Sequence, residues 1–135
     1  MKQFSLHKAE KLCSRTAAQQ LFAEGRSLMA YPLRAMVRVR QAGERGPVQF
    51  FITIPKKRVR HAVDRVLLRR RVREAYRLHR GTLLLEPLRE SGADVGVDVA
   101  FVYVGSGVDH YAHLEEKVQD LLGRIAQLAL NTPPQ

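Results

Sequence analysis

A chain of 135 residues is long enough to close one hydrophobic core, and 45% hydrophobic content says that most of it folds. With 23 Lys and Arg against 13 Asp and Glu, the net charge is +10, a balance that points to a polyanionic partner, either nucleic acid or an anionic membrane surface. A single cysteine, Cys13, excludes an intrachain disulfide, no apolar run approaches the ~20 residues of a membrane span, and the polar start MKQFSLHKAEKL does not read as a secretory signal. A cytoplasmic protein is expected.

One domain over residues 1–135 is expected, with residues 1–6 and 131–135 frayed. SRTAAQQLFAEG reads as a short helix, capped by Ser14 or Thr16, with Leu21 and Phe22 marking its buried side. Gly25 stands where a left-handed C-terminal residue belongs. A short strand is possible near residues 27–31. Over residues 32–40, Leu33, Ala35, Val37 and Val39 alternate with Arg34, Met36, Arg38 and Arg40, the pattern of a half-buried strand with a basic outer face. QAGERGP is a turn. VQFFITI, residues 48–54, is apolar enough for a central strand, and Pro55 stops it. After the basic connection KKRVRHAV, a helix is expected, with Leu68, Val72, Ala75 and Tyr76 on one face. Arg69, Arg70, Arg73, Arg77 and Arg80 gather on an adjoining face. Gly81 could end this helix, or TLLLEPLRES could resume it after a bend, with Pro87 starting a new turn. VGVDVAFVYV is a third clear strand. Asp109 can cap a final amphipathic helix with Leu114, Val118, Leu121, Leu122, Ile125 and Leu128 on its apolar side. The order predicts an α+β fold, a mixed sheet with helices packed on it.

The arginines set the functional question. Seven of the twenty residues from 61 to 80 are arginine, and the only acids among them are Asp64 and Glu74. A solvated helix face needs fewer charges and usually mixes their signs. Clustered guanidinium forks can grip phosphates bidentately, and the preceding turn adds Lys56, Lys57, Arg58 and Arg60. A membrane-surface helix fits less well, because this one lies between strands and must spend its apolar face on the core. A helix-turn-helix regulator would be mostly helical. In an RRM-type reading only one of the adjacent Phe50 and Phe51 could stack on a base, since neighbours on a strand point to opposite faces. An enzyme working through its own side chains is poorly supported. Cys13, His7, His61, His79, His110 and His113 show no metal-ligand spacing, and GSG at 105–107 is not a phosphate loop. No catalytic and no metal-binding residue is expected in the protein.

PKKRVRHAVDRVLLRRRVREAYRL resembles the signature segment of the bacterial ribonuclease P protein subunit. Lys56 and Lys57 match its lysine pair, Ala62 and Val63 its Ala-Val, and Arg65 the first residue of its Arg-Asn-Arg. Arg69 and Arg70 match the basic pair, and the run from Arg73 to Arg77 matches the Arg-Glu-Ala-aromatic end. The pattern extends over roughly residues 6–128. It departs in three places: Val66 and Leu67 replace the Asn-Arg, one extra residue follows the lysine pair, and Ala18 replaces the earlier of two phenylalanines.

The resemblance implies a two-layer α/β sandwich like domain 2 of ribosomal protein S5, with a left-handed crossover. It implies a protein that works with ribonuclease P RNA and precursor tRNA to remove the 5′ leader, with the RNA holding Mg²⁺ and performing the hydrolysis. No obligatory protein partner follows from it. Two surfaces are implied. Lys56, Lys57, Arg58, Arg60, Arg65, Arg69, Arg70, Arg73 and Arg77 would face the catalytic RNA. Phe22, Arg34, Met36 and Arg38, with Lys56 at the edge, would line a cleft for the leader. The rival reading is a ribosomal or RNA-chaperone protein with the same charge.

Overall fold

The computed structural model describes residues 15–43 and 47–131. Cys13, Ser14 and the stretches 1–6 and 132–135 lie outside the described residues. The elements are α1 (Arg15–Glu24), β1 (Arg26–Ala30), β2 (Leu33–Arg40), β3 (Val48–Thr53), α2 (Ala62–Arg80), a π-helical turn (Gly81–Leu85), α3 (Glu86–Glu90), β4 (Gly96–Tyr103) and α4 (Tyr111–Asn131). The sheet runs β1-β2-β4-β3, antiparallel except for the parallel β3–β4 pair. It is the mixed sheet of an α+β fold.

Strand alternation divides the side chains between two faces. Leu33, Ala35, Val37 and Val39 of β2 join Val97, Val99, Phe101 and Tyr103 of β4, and with Val48 and Phe50 of β3 they form the main core. α2 and α4 cover it. Leu68, Val72, Ala75 and Tyr76 come from α2, and Leu114, Val118, Leu121, Leu122 and Ile125 from α4. Phe50 and Tyr76 stack at 3.8 Å between ring centroids, locking α2 to the sheet.

The opposite face is not the open basic surface that alternation alone predicts. α1 lies on it, and Leu21, Met36 and Ala100 form a second small cluster with Phe51 packed against it. Met36 and Arg40 are therefore buried. Arg40 can be buried because Asp98, its neighbour on β4, accepts from its Nε at 2.8 Å, while its Nη1 donates to the carbonyls of Gln41 and Ala42.

Gly25 is required for a different reason from the expected one. It is absent from the positive-φ glycines, which are Gly43, Gly92 and Gly107 among the described residues. Its N–H donates to the Leu21 carbonyl at 2.8 Å, and a Cβ there would stand 2.4 Å from that oxygen. The glycine lets α1 turn directly into β1 against β2. Gly25→Ala is expected to cost about 1–3 kcal/mol, read as a lowered urea midpoint at unchanged slope.

Gly81 does not end α2. Its backbone is right-handed helical, and the chain widens into a π turn in which the Glu86 N–H donates to the Gly81 carbonyl. Pro87 supplies the cause. It has no N–H, and its ring would press on the carbonyl four residues back in a regular α-helix. The widening keeps the helical path unbroken and buries Leu84 and Leu88.

Candidate nucleic-acid interface

The basic turn is built around a buried valine. Arg58 and Val59 both donate their N–H groups to the Pro55 carbonyl, at 3.0 and 3.2 Å, closing the chain on itself. Val59 is buried, so Lys56, Lys57, Arg58 and Arg60 point outward around it and are exposed. Arg65 then reaches back from the first turns of α2. Its Nη1 donates to the carbonyls of Val59 at 3.0 Å and Arg60 at 2.8 Å. It fixes the turn to the helix, and that bonding leaves it half-buried rather than presented like its neighbours.

Along α2, Arg69, Arg70 and Arg73 are exposed. At about 100° per residue, Arg70, Arg73 and Arg77 lie within about 60° of one another, opposite the buried Leu68 and Val72. Arg77 is partly engaged. Its Nε donates to Glu74 at 2.6 Å. That hydrogen bond holds the Glu74 carboxyl below its ordinary value and raises the guanidinium. Besides Arg65, two arginines belong to the structure instead of the face. Arg71 donates to the Asp109 carbonyl ahead of α4. Arg80, expected on the outer face, is buried. The helix continues past it, and its guanidinium folds back to donate to the Arg77 carbonyl, 6.0 Å from the Tyr76 ring centroid. Between α2 and α4, His79 meets Glu115 at 2.9 Å and Tyr111 donates to the same carboxylate, so the face is carried on a fixed helix. Burial, then Glu115, pushes the Tyr111 hydroxyl up.

The second candidate surface lies on the other side of the sheet, beside α1. Phe22 is 44% exposed and meets Phe51 edge-on at 5.8 Å. It is not a core residue. Arg34 is half-buried and donates to the Met36 sulfur at 3.6 Å. Arg38 pairs with Glu24 of α1 at 3.2 Å, so its charge is answered from within the chain. Met36, expected to line this surface, is buried under α1 with Leu21 and Ala100, so it supports the surface from beneath and is not presented on it. Phe51 belongs to this surface and is absent from the sequence-based set. The alternation of β3 already turns it away from Phe50, and its cross-strand neighbour Ala100 leaves it room. The two surfaces stand on opposite faces of the sheet. Asp109, proposed as a cap, sits one residue farther out, where it accepts from the His110 N–H and pairs with His113.

The comparisons agree in direction. A family model described as Ribonuclease P matches residues 6–126. A ribonuclease P protein component from Porphyromonas gingivalis is 34% identical over 123 residues, covering 91% of this chain and 88% of that protein. The fold is similar to the RNase P protein from Thermotoga maritima, with a TM-score of 0.63 at 24% identity over 86% of this chain and 97% of that one. It is also similar to the RNase P protein from Staphylococcus aureus, with a TM-score of 0.56 at 17% identity over 97% of each chain. A match over nearly the whole chain, together with the lysine pair, the arginine helix and the fold, places this chain in the ribonuclease P protein family.

Proposed function

We propose that the chain binds the catalytic RNA of ribonuclease P through the turn at residues 55–60 and the outer face of α2, and that it takes the 5′ leader of precursor tRNA along Phe22, Phe51, Arg34 and Arg38, with Met36 buried beneath them. The observation that carries this is the exposure of Lys56, Lys57, Arg58 and Arg60 on a turn that Arg65 ties to the helix bearing the exposed Arg69, Arg70 and Arg73. Two RNAs repel each other as polyanions. A protein with cations on one face and a mixed aromatic and cationic cleft on the other lowers that repulsion and positions the leader.

Among the described residues no group of three or more His, Cys, Asp and Glu could hold a metal ion. On this reading the Mg²⁺ is bound by RNA phosphates and supplies the hydrolytic chemistry there. The protein's own part is binding and orientation. The same reading places it with precursor tRNA in the cytoplasm, and no described helix is long and apolar enough to cross a membrane.

The test is reconstitution with the ribonuclease P RNA of the same organism, following leader release from precursor tRNA. Cleavage at low Mg²⁺ is expected to depend strongly on the protein, and the dependence to shrink as Mg²⁺ takes over the screening. RNA binding without any effect on cleavage would move the chain to the ribosomal or chaperone class.

Phe22→Ala tests the cleft separately. It is expected to weaken binding of precursor by about 1 kcal/mol, roughly fivefold, and to leave mature tRNA unaffected. The thermal midpoint should move little, since the ring is already half in water. Equal losses for precursor and mature tRNA would remove Phe22 from the leader's path.

A further inference from the structure

The arginine face has an apolar half. Val63 is 79% exposed and Val66 is 49% exposed. Both lie on the first turns of α2. On the helical projection they fall in the same strip as Arg70, Arg73 and Arg77, within about 80° in all. Leu67, half-buried beside them, extends the apolar floor. β-branched residues gain nothing in helix propensity here, and their exposed side chains gain nothing from burial. Lys56, Lys57, Arg58 and Arg60 stand ahead of them in the chain and Arg69, Arg70 and Arg73 behind, all exposed.

We propose that Val63 and Val66 form a seat for an unpaired base of the RNA whose phosphates the neighbouring arginines hold. Charge complementarity selects the occupant. Exposed cations on both sides of an apolar centre repel a second copy of this chain and any basic protein, and attract a polyanion. Within RNA, a base in a duplex is stacked and unavailable. A base splayed from a loop or bulge offers an apolar face. Val66 and Arg70 are about 6 Å apart along the helix axis, and Val63 lies about 4.5 Å beyond. A strand following the face therefore brings phosphates to the arginines as its next base reaches the valines.

The inference rests on the ribonuclease P reading above, and the test separates the two. The full chain, the Val63→Ser/Val66→Asn double variant, Val66→Asn alone and Arg70→Ala are each titrated with the ribonuclease P RNA of the same organism across a salt series. Base reactivity is probed in the complexes. An apolar contact releases no counterions. The valine double variant should therefore bind about fivefold to tenfold more weakly with an unchanged salt slope, Val66→Asn should lose part of that, and an unpaired base protected by the native protein should regain its reactivity. Arg70→Ala should lower the slope by about one. Full affinity in both valine variants overturns the seat, and so does a loss with a reduced slope or with no protected unpaired base. A native dimer in sedimentation that the double variant dissolves, with RNA affinity kept, assigns the patch to a second copy and overturns it equally. An unchanged slope in Arg70→Ala sinks the arginine-face reading, and the seat with it.

Discussion

The Arg69→Ala/Arg70→Ala/Arg73→Ala variant is expected to bind ribonuclease P RNA on the order of a hundredfold to a thousandfold more weakly near physiological salt, and to lower the slope of log K against log salt by about two to three. The three side chains are exposed, and none shares a hydrogen bond or ion pair with the described core. Each is free to take one phosphate, and each phosphate neutralised releases about 0.7–0.9 of a counterion. A charge-assisted hydrogen bond adds directional energy to that release. Folding should survive, because removing like charges from one helix face relieves repulsion instead of breaking a contact. A salt slope equal to that of the native protein would show that the phosphates lie elsewhere, whatever happened to the affinity.

Asp98→Ala is expected to be the most destabilising change in the sheet, at about 3–5 kcal/mol. Asp98 is fully buried and Arg40 nearly so. Removing the carboxylate takes the counter-charge from a buried guanidinium and leaves it the neutral carbonyls of Gln41 and Ala42, and a typical domain has only about 5–15 kcal/mol in total. Gly96 belongs to the same arrangement. It pairs with Arg40 in the register, and a Cβ there would lie 2.7 Å from the Arg40 Nη1. The glycine makes the room that the buried arginine occupies. Replacing both charges by apolar residues of similar volume should recover most of the loss, because the cost lies in the unpaired partner more than in the missing pair. Denaturant midpoints for the single and double variants decide it, and a single variant that melts like the native protein would mean that water reaches Arg40.

The faces most legible in the sequence were the inward ones, which meet apolar surface. β2, β4 and α4 show clean periods of 2 and 3.6, and their core residues are buried as the periods require. The signature from Lys56 to Arg77 carried the family, because spacing and residue type survive without knowledge of tertiary contacts. What escaped depends on partners far along the chain. The outer face of β2 looks basic and open until α1 is known to lie on it. Arg80 looks like the end of an arginine stripe until the helix is seen to continue beyond it. Phe51 looks like one of two interchangeable phenylalanines until Phe22 is placed 5.8 Å from it. Gly25 carries a turn signature but serves as a spacer. Arg65 shows the limit most sharply. Its type and position say phosphate, while its two hydrogen bonds to backbone carbonyls say scaffold.

That bonding has a consequence in time. A basic loop left loose would have to find its bound shape after meeting the RNA, and the search would slow capture and cost ordering entropy. Here Arg65 and the buried Val59 set the turn before any encounter. Lys56, Lys57, Arg58 and Arg60 are held out together, so on the proposed reading the field that would steer an RNA inward comes from the same arrangement that would receive it. On that reading capture would need one collision in the right orientation, and the lifetime of the complex would be left to the contacts along α2.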